Sequence, residues 1–356
     1  MKRVPVSDPL LIYGATGYTG RLIVDRALAT GLRPILGGRD APKLAALAEP
    51  LGLEHRTASL RQPERLLAAL DGVEVLLNVA GPFSQTVRPL LDACLRAGVH
   101  YLDVTAEVAI LESLAQRDAE AKSQGIMILP ATGFDVVASD CLAVHVASRL
   151  RRARTLRLGL SGLAFATRGS AKTLVEHAGR GVHVRRDGAV ITLDPGSLTH
   201  DFDFGSEPRP GANVSWGDVV TAYHSTGIPN IEVYFESTPA LRAVLTAGRW
   251  MGWALRTAPW QALMKAQADL LPEGPTAEQR ASQEAIVVAE AEDTRGKRAV
   301  ARLRTPEVYT FTALSASTIA KHTLAGRVET GFQTPARMYG SELAFEIEGV
   351  RLEDLE

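Results

Sequence analysis

The sequence predicts an α/β protein of two domains: an N-terminal doubly wound sheet, then an α+β domain built on a mainly antiparallel sheet. Three observations carry this expectation. Residues 10 to about 130 alternate short apolar runs with helical patterns, the grammar of right-handed βαβ units and a parallel sheet. A glycine-rich turn joins the first strand to the first helix. From about Asp140 the alternation gives way to hairpin-linked strands. At 356 residues the chain also exceeds a single typical core.

The first-domain strands read as Leu10–Ala15, Pro34–Arg39, Glu54–Ala58, Val73–Val79, His100–Val104 and Ile126–Pro130. Between them the spacing predicts helices over Thr19–Thr30, Pro42–Leu51, Pro63–Leu70, Gln85–Ala97 and Val108–Gln124. Gly31, Gly52, Gly72, Gly98 and Gly125 each follow a helical segment, where a left-handed cap suits glycine. In the second domain a helix over Asp140–Leu150 precedes a hairpin at Asp187-Gly188. Strands are expected at Thr221–Thr226 and Ile231–Ser237, and about a turn at Thr294–Lys297, before a helix over Tyr309–Leu324. The expected division is 1–139, 140–330 and a C-terminal segment 331–356.

The turn reads Gly14-Ala15-Thr16-Gly17-Tyr18-Thr19-Gly20. A glycine at a strand end permits a tight turn. A second lets the main chain approach a pyrophosphate, and a third packs the helix onto the sheet. The helix N-terminus offers free N–H groups and a positive dipole end. Its place before a six-strand alternation makes this a Rossmann dinucleotide loop, with Gly14, Thr16, Gly17, Tyr18, Thr19 and Gly20 as cofactor contacts. The second strand ends Gly37-Gly38-Arg39-Asp40. A guanidinium forks onto a 2′-phosphate where a carboxylate would repel it. Arg39 therefore points to NADP, with Lys43 as a second cation. The competing reading has Asp40 binding the ribose of NAD. Small residues after the fourth strand (Asn78, Ala80, Gly81 and Pro82) would admit the nicotinamide ribose. Phe83 reads either as a cover for the ring or as a staple of the next helix.

Catalytic candidates are weak. Tyr101, Asp103 and Glu107 end strand five, and Thr132-Gly133-Phe134-Asp135 ends strand six, with Asp135 read first as a helix cap or hinge. In "RGSAKTLVEHAGRG" Lys172 reads as a general acid or a binder of an acidic group, with His177 a titratable neighbour. The alternative is an exposed turn salt-bridged between Lys172 and Glu176. Arg168, Arg180 and Arg185 are available for substrate carboxylates. No tyrosine is followed by lysine at i+4, which argues against a short-chain dehydrogenase.

Net charge is −1, so no cationic excess points to nucleic acid. Cys94 and Cys141 sit in no metal or disulfide spacing. No metal is expected, and a reducing, cytoplasmic setting is. The N-terminus shows no h-region of signal-peptide length, and no uncharged run reaches the roughly 18 residues of a membrane span. In 241–264, Arg242, Arg249 and Arg256 recur at heptad spacing among apolar residues that include Trp250, Trp253 and Trp260. That segment suits a membrane interface, a greasy substrate tunnel or burial within protein.

The runs "GATGYTGRL", "GGRD", "NVAGPF", "YLDVTAE", "TGFDVVASD", "TGIPNIEVYF", "GPTAEQR" and "GFQTPARMYG" occur in this order. Together they resemble the saccharopine dehydrogenase-like oxidoreductases over residues 10 to about 345. The resemblance implies an NADP-binding Rossmann domain, a mixed α/β substrate and dimerisation domain, and a homodimer. It also implies reduction of a C=N, C=O or C=C bond in a small-molecule or acyl-chain substrate, since the family includes saccharopine-forming and trans-acting enoyl reductases. The rival reading is a non-catalytic NADP-binding redox sensor or scaffold.

Overall fold

The computed structural model describes residues 8–163, 167–205 and 207–356; the side chain of His177 also lies outside the described residues. The chain packs as two compact units. One holds residues up to Thr105, Ala109–Phe134 and Tyr309–Met338; the other holds Ala106–Val108, Asp135–Val308 and Tyr339–Glu356.

The first unit opens with β1 (Leu10–Tyr13), α1 (Tyr18–Ala29), β2 (Ile35–Gly38), α2 (Ala41–Leu51) and β3 (His55–Thr57). It continues through α3 (Pro63–Ala69), β4 (Val75–Asn78), α4 (Phe83–Ala97), β5 (His100–Asp103), α5 (Val108–Ala115), α6 (Asp118–Ser123) and β6 (Met127–Leu129). All six expected strands are present. Strands β1, β2 and β4 are buried along their whole length, as a sheet covered on both faces requires. The single helix expected over Val108–Gln124 is two, because the chain breaks at Gln116-Arg117. There Arg117 turns to Asp92 at 2.9 Å and also pairs with Glu120.

The second unit begins with α7 (Phe134–Ser148), β7 (Ala153–Ser161), α8 (Arg168–His177), β8 (Val182–Arg186) and β9 (Ala189–Leu193). Next come β10 (Thr199–Asp203), β11 (Pro208–Asn213), α9 (Asp218–Thr226), β12 (Asn230–Glu236), α10 (Pro239–Leu255) and α11 (Ala258–Ala268). Then follow α12 (Ala277–Ala281), β13 (Glu284–Asp293) and β14 (Arg298–Pro306). The sheet runs β10-β11-β12-β7-β13-β14, with β8 and β9 attached through β12. Its pairings are antiparallel except β12 with β7. Asp187 at φ +45° and Gly188 at φ +85° make the expected hairpin turn between β8 and β9. In the β13–β14 turn, Asp293 Oδ1 accepts from the N–H groups of Arg295 and Lys297.

The strand expected at Thr221–Thr226 is instead the end of α9. Its β-branched residues suggested a strand, but the segment starts from Gly217 and stops at Gly227, whose φ of +72° forms a left-handed cap. Within it Val219, Val220, Thr221 and Ala222 are all buried, so packing overrides propensity.

The chain then returns to the first unit with α13 (Val308–Leu324), β15 (Gly331–Phe332) and α14 (Pro335–Tyr339), and ends with β16 (Arg351–Asp354) on β14. Strand β15 extends the first sheet to seven parallel strands, ordered β15-β6-β5-β4-β1-β2-β3. Helix α13 is buried nearly all round. Ser315 donates to the Thr132 carbonyl at 2.7 Å, and Thr312 Oγ1 accepts from Phe134 N–H at 3.0 Å. The division is therefore discontinuous, where the sequence suggests consecutive stretches.

Candidate functional site

In the first sheet the strand order reverses between β1 and β4, the switch point where doubly wound sheets open a crevice for ligands. The Gly14–Gly20 turn stands there, and each glycine has a distinct reason. Gly14 has φ +96°, and a Cβ on it would lie 2.7 Å from the Ala80 nitrogen. The phosphate turn and the turn after β4 thus touch backbone to backbone. A Cβ on Gly20 would meet the Gly14 carbonyl oxygen at 2.4 Å, so the third glycine lets α1 close on its own loop. Gly17 is different. A Cβ there would have its nearest neighbour at 3.4 Å, an ordinary contact.

Gly17 is also the N-cap of α1. No side chain caps it, and no acidic residue stands in the first turn. The first-turn N–H groups have no intrahelical acceptors by construction. Arg21 reaches back to donate to the Thr16 carbonyl at 3.1 Å, bracing the turn. An uncapped helix start without a carboxylate, approached by side-chain-free backbone, fits the pyrophosphate of a dinucleotide.

At the end of β2, Arg39 is exposed and makes no hydrogen bond or ion pair among the described residues. Its charge is felt by Tyr13, whose phenol burial raises above its usual value while Arg39 opposes the shift. Asp40 is the N-cap of α2, accepting from Lys43 N–H at 3.1 Å, and its other oxygen lies 3.7 Å from Lys43 Nζ. The carboxylate is therefore engaged locally, and the neighbouring guanidinium is the group left to meet a ligand.

A buried polar network lies under the ends of β4, β5 and β6. Asn78 Nδ2 donates to Thr86 Oγ1 at 3.2 Å and to the Tyr101 hydroxyl at 3.1 Å, and Asn78 Oδ1 accepts from Ala80 N–H at 3.0 Å. Thr86 donates to the Ala80 carbonyl at 2.7 Å. Tyr101 donates to Asp103 Oδ2 at 3.0 Å, and Asp103 Oδ1 accepts from the N–H groups of Thr105 and Ala131. The network fixes the Ala80–Pro82 turn, whose Gly81–Pro82 peptide is cis, and so holds Ala80 against Gly14. Phe83 is partly buried and packs on the apolar core of this unit.

Tyr101 has no exposed surface. Burial, with the Asp103 charge beside it, pushes its phenol well above its ordinary value. Its role in this geometry is to hold Asn78 and Asp103. In the second unit Lys172 is paired with Asp269 at 2.6 Å, and Glu176 with Lys265 at 2.7 Å. The i,i+4 pair suggested by the sequence is thus replaced by two ties from α8, one to Lys265 of α11 and one to Asp269, which caps that helix. His177 lies outside the described residues as far as its side chain is concerned. Arg185 is buried, donating to the Val219 and Gly188 carbonyls at 2.5 Å each, with Tyr223 stacked 4.1 Å away. Arg168 donates to the Leu271 carbonyl. Among the described residues no cluster of His, Cys, Asp or Glu could hold a metal.

The second unit carries a group of carboxyls that spacing alone did not bring together. Burial raises Asp135, at the start of α7, to about 7. Asp218 is buried and pushed well above the carboxylate range by burial and by the charge of Asp140, with Ser139 opposing. Trp216 Nε1 donates to the Asp135 carbonyl at 2.5 Å. Asp135 and Asp140 share the "TGFDVVASD" run, but Asp218 comes from the start of α9, a helix of which the sequence pattern suggests only Thr221–Thr226, as a strand.

Comparison with known proteins places these observations. Residues 10–129 match the family described as saccharopine dehydrogenase NADP binding domain. A trans-acting enoyl reductase of Mycobacterium ulcerans is 30% identical over 219 residues, covering 56% of this chain and 52% of that protein. One of Mycobacterium leprae is 32% identical over 154 residues, covering 41% and 37%. The chain therefore aligns with about half or less of the length of these relatives. Among solved structures, apo saccharopine dehydrogenase (L-Glu forming) of Saccharomyces cerevisiae superposes with a TM-score of 0.64 over 98% of this chain and 99% of that one, at 10% identity. That likeness concerns the fold.

Proposed function

We propose that the protein is an NADP(H)-dependent oxidoreductase, a reading supported by the match of residues 10–129 to the saccharopine dehydrogenase NADP binding domain family. Its substrate is a small molecule or acyl chain carrying a C=N, C=O or C=C bond. The observation that carries the cofactor choice is Arg39, exposed and without a partner among the described residues, beside an Asp40 already engaged in capping α2. The relatives' name, trans-acting enoyl reductase, supports the C=C bond of an acyl chain among the three.

The chain's own residues then divide the work. The first-turn N–H groups of α1 bind the pyrophosphate at Gly17, where no Cβ intrudes. Arg39, helped by Lys43, binds the 2′-phosphate. Ala80, Gly81 and Pro82 offer a small-residue floor held by Asn78, Thr86 and Tyr101. Bound NADPH supplies the hydride. Cytoplasmic residence and a homodimer complete this reading.

The second reading, a non-catalytic NADP-binding sensor or scaffold, is favoured by two facts: Tyr101 is sealed and Lys172 is ion-paired. Fluorescence titration with NADPH and NADH, followed by loss of reduced-nicotinamide absorbance with enoyl thioesters and with keto-acid and amine pairs, separates them. Failure to bind NADPH refutes both readings. Tight binding without turnover on either substrate class favours the sensor.

A further inference from the structure

Helix α10 is built the wrong way round for a surface helix. Its less exposed side carries Leu241, Leu245, Gly248, Gly252 and Leu255, which lie together at ~100° per residue. This side is packed. A Cβ on Gly252 would meet the Gly179 oxygen at 2.8 Å, and Leu245 Cβ lies 3.5 Å from where one on Gly196 would stand. The opposite side should be polar. Instead it presents Ala243, Thr246, Trp250 and Trp253, and the two indoles are each 73% exposed. Val244, Met251, Trp260, Leu263, Leu270 and Leu271 extend the exposed apolar surface around α10 and α11.

Charge decides what such a surface meets. From Pro239 to Ala268 the sequence has four cations, Arg242, Arg249, Arg256 and Lys265, and no acidic residue. Lys265 is occupied by Glu176. None of the three arginines has a carboxylate partner among the described residues. Arg242 donates to Ser237, and Arg249 lies 6.0 Å over the Trp250 ring. They form a stripe alongside the indoles at heptad spacing. A second copy of this chain on the same face would set this stripe against its own image across a two-fold axis, with no acid in the segment to relieve the repulsion. A surface of phosphodiesters with apolar matter beneath matches both parts. Guanidinium forks onto phosphate, and indole rings settle at the boundary between headgroup and acyl chain. Among the described residues no helix is long and apolar enough to cross a membrane.

We propose that the exposed face of α10, with Trp250 and Trp253 as wedges and Arg242, Arg249 and Arg256 as phosphate contacts, docks the protein on an anionic phospholipid bilayer, lying in the interface rather than spanning it. This inference is independent of the cofactor reading.

The test is flotation of the full chain with vesicles of phosphatidylcholine alone and of phosphatidylcholine mixed with phosphatidylglycerol. Wild type is expected to float with the anionic vesicles only, and raised salt should weaken the association. Trp250→Ala with Trp253→Ala should reduce the apparent affinity by about tenfold or more, and Arg242→Gln, Arg249→Gln and Arg256→Gln together should abolish the preference for the anionic lipid. Because these side chains are exposed, the variants should keep the wild-type melting temperature. A measurement on wild type needs no variant. Phospholipid brominated in its acyl chains should quench tryptophan emission, since three of the four tryptophans stand on this surface. Wild type that stays unbound to anionic vesicles, a Trp variant that floats like wild type, or unquenched emission overturns the proposal. So does a dimer in lipid-free solution that the Trp variant dissociates, which would assign the face to a second copy.

Discussion

Arg39→Ala is the sharpest test of cofactor choice. The guanidinium is exposed and has no bond to break among the described residues when a ligand arrives, so its removal is expected to act on binding. A charge-assisted hydrogen bond contributes about 1.5–3 kcal/mol. Solvent around Arg39 screens the pair, which places the expectation at the low end, about 1.5–2 kcal/mol, or roughly 10- to 30-fold in NADPH affinity. Lys43, held only 3.7 Å from Asp40 and otherwise exposed, supplies residual attraction, so binding weakens without vanishing. NADH, which lacks the 2′-phosphate, should bind wild type and variant alike, and the melting temperature should not move. Paired fluorescence titrations at low and moderate salt measure all of this. Equal losses for NADPH and NADH, or no loss for either, would refute the assignment of Arg39 to the 2′-phosphate.

Gly14→Ala must place a Cβ 2.7 Å from the Ala80 nitrogen at φ +96°; it should cost about 2 kcal/mol or more in thermal unfolding and also abolish NADPH binding. Gly17→Ala has room for its methyl group and should leave stability nearly unchanged while weakening NADPH by at least about tenfold, so equal effects of the two variants would be evidence against the distinct roles drawn above. Tyr101→Phe removes the hydroxyl joining Asn78 to Asp103 and should cost about 1–3 kcal/mol in urea unfolding; if turnover is found, its pH profile should keep its shape, and loss of a limb would restore Tyr101 as a proton donor. Asp135 titrates near 7 in the folded chain against 3.8 ordinarily, so the folded state holds the extra proton between those values, and stability should fall as pH rises from about 4 to 7, by at most about 4 kcal/mol, then level off. Asp218 acts in the same direction. Urea unfolding across that range should show a flatter profile for Asp135→Asn, and an unchanged slope would show that the Asp135 carboxyl is not desolvated.

Much of the first unit was legible because its signals are local. The six strands, the phosphate turn and the glycine caps each announce themselves within a few residues. What escaped depends on distance along the chain. Strand β15 is two residues long, and nothing in Gly331-Phe332 signals a strand until β6 is there to pair with it. Thr221–Thr226 reads as a strand because Thr221, Tyr223 and Thr226 favour strands by propensity, whereas the segment closes a helix that begins at Asp218 and is buried through Ala222. Arg39 is readable as a cation at a strand end, but its lack of a partner among the described residues is not. Lys172 could be paired by spacing with Glu176, whereas the structure gives it Asp269 from another helix. The family resemblance covered the order of motifs and could say nothing of such pairings.

Helix α13 has a consequence for the order in which the protein can be made. The first sheet is translated early, yet the helix that buries Thr132 and Phe134 against Thr312 and Ser315 belongs to residues 309–338. A nascent chain leaving the ribosome must carry an unfinished nucleotide-binding half through the synthesis of the whole second sheet before its covering helix emerges. A fragment cut at the apparent boundary near residue 139 would expose the surface that Phe311, Ala316 and Ile319 otherwise cover. An excised cofactor domain should be soluble only when 309–338 is supplied, joined by a linker or added as a separate peptide.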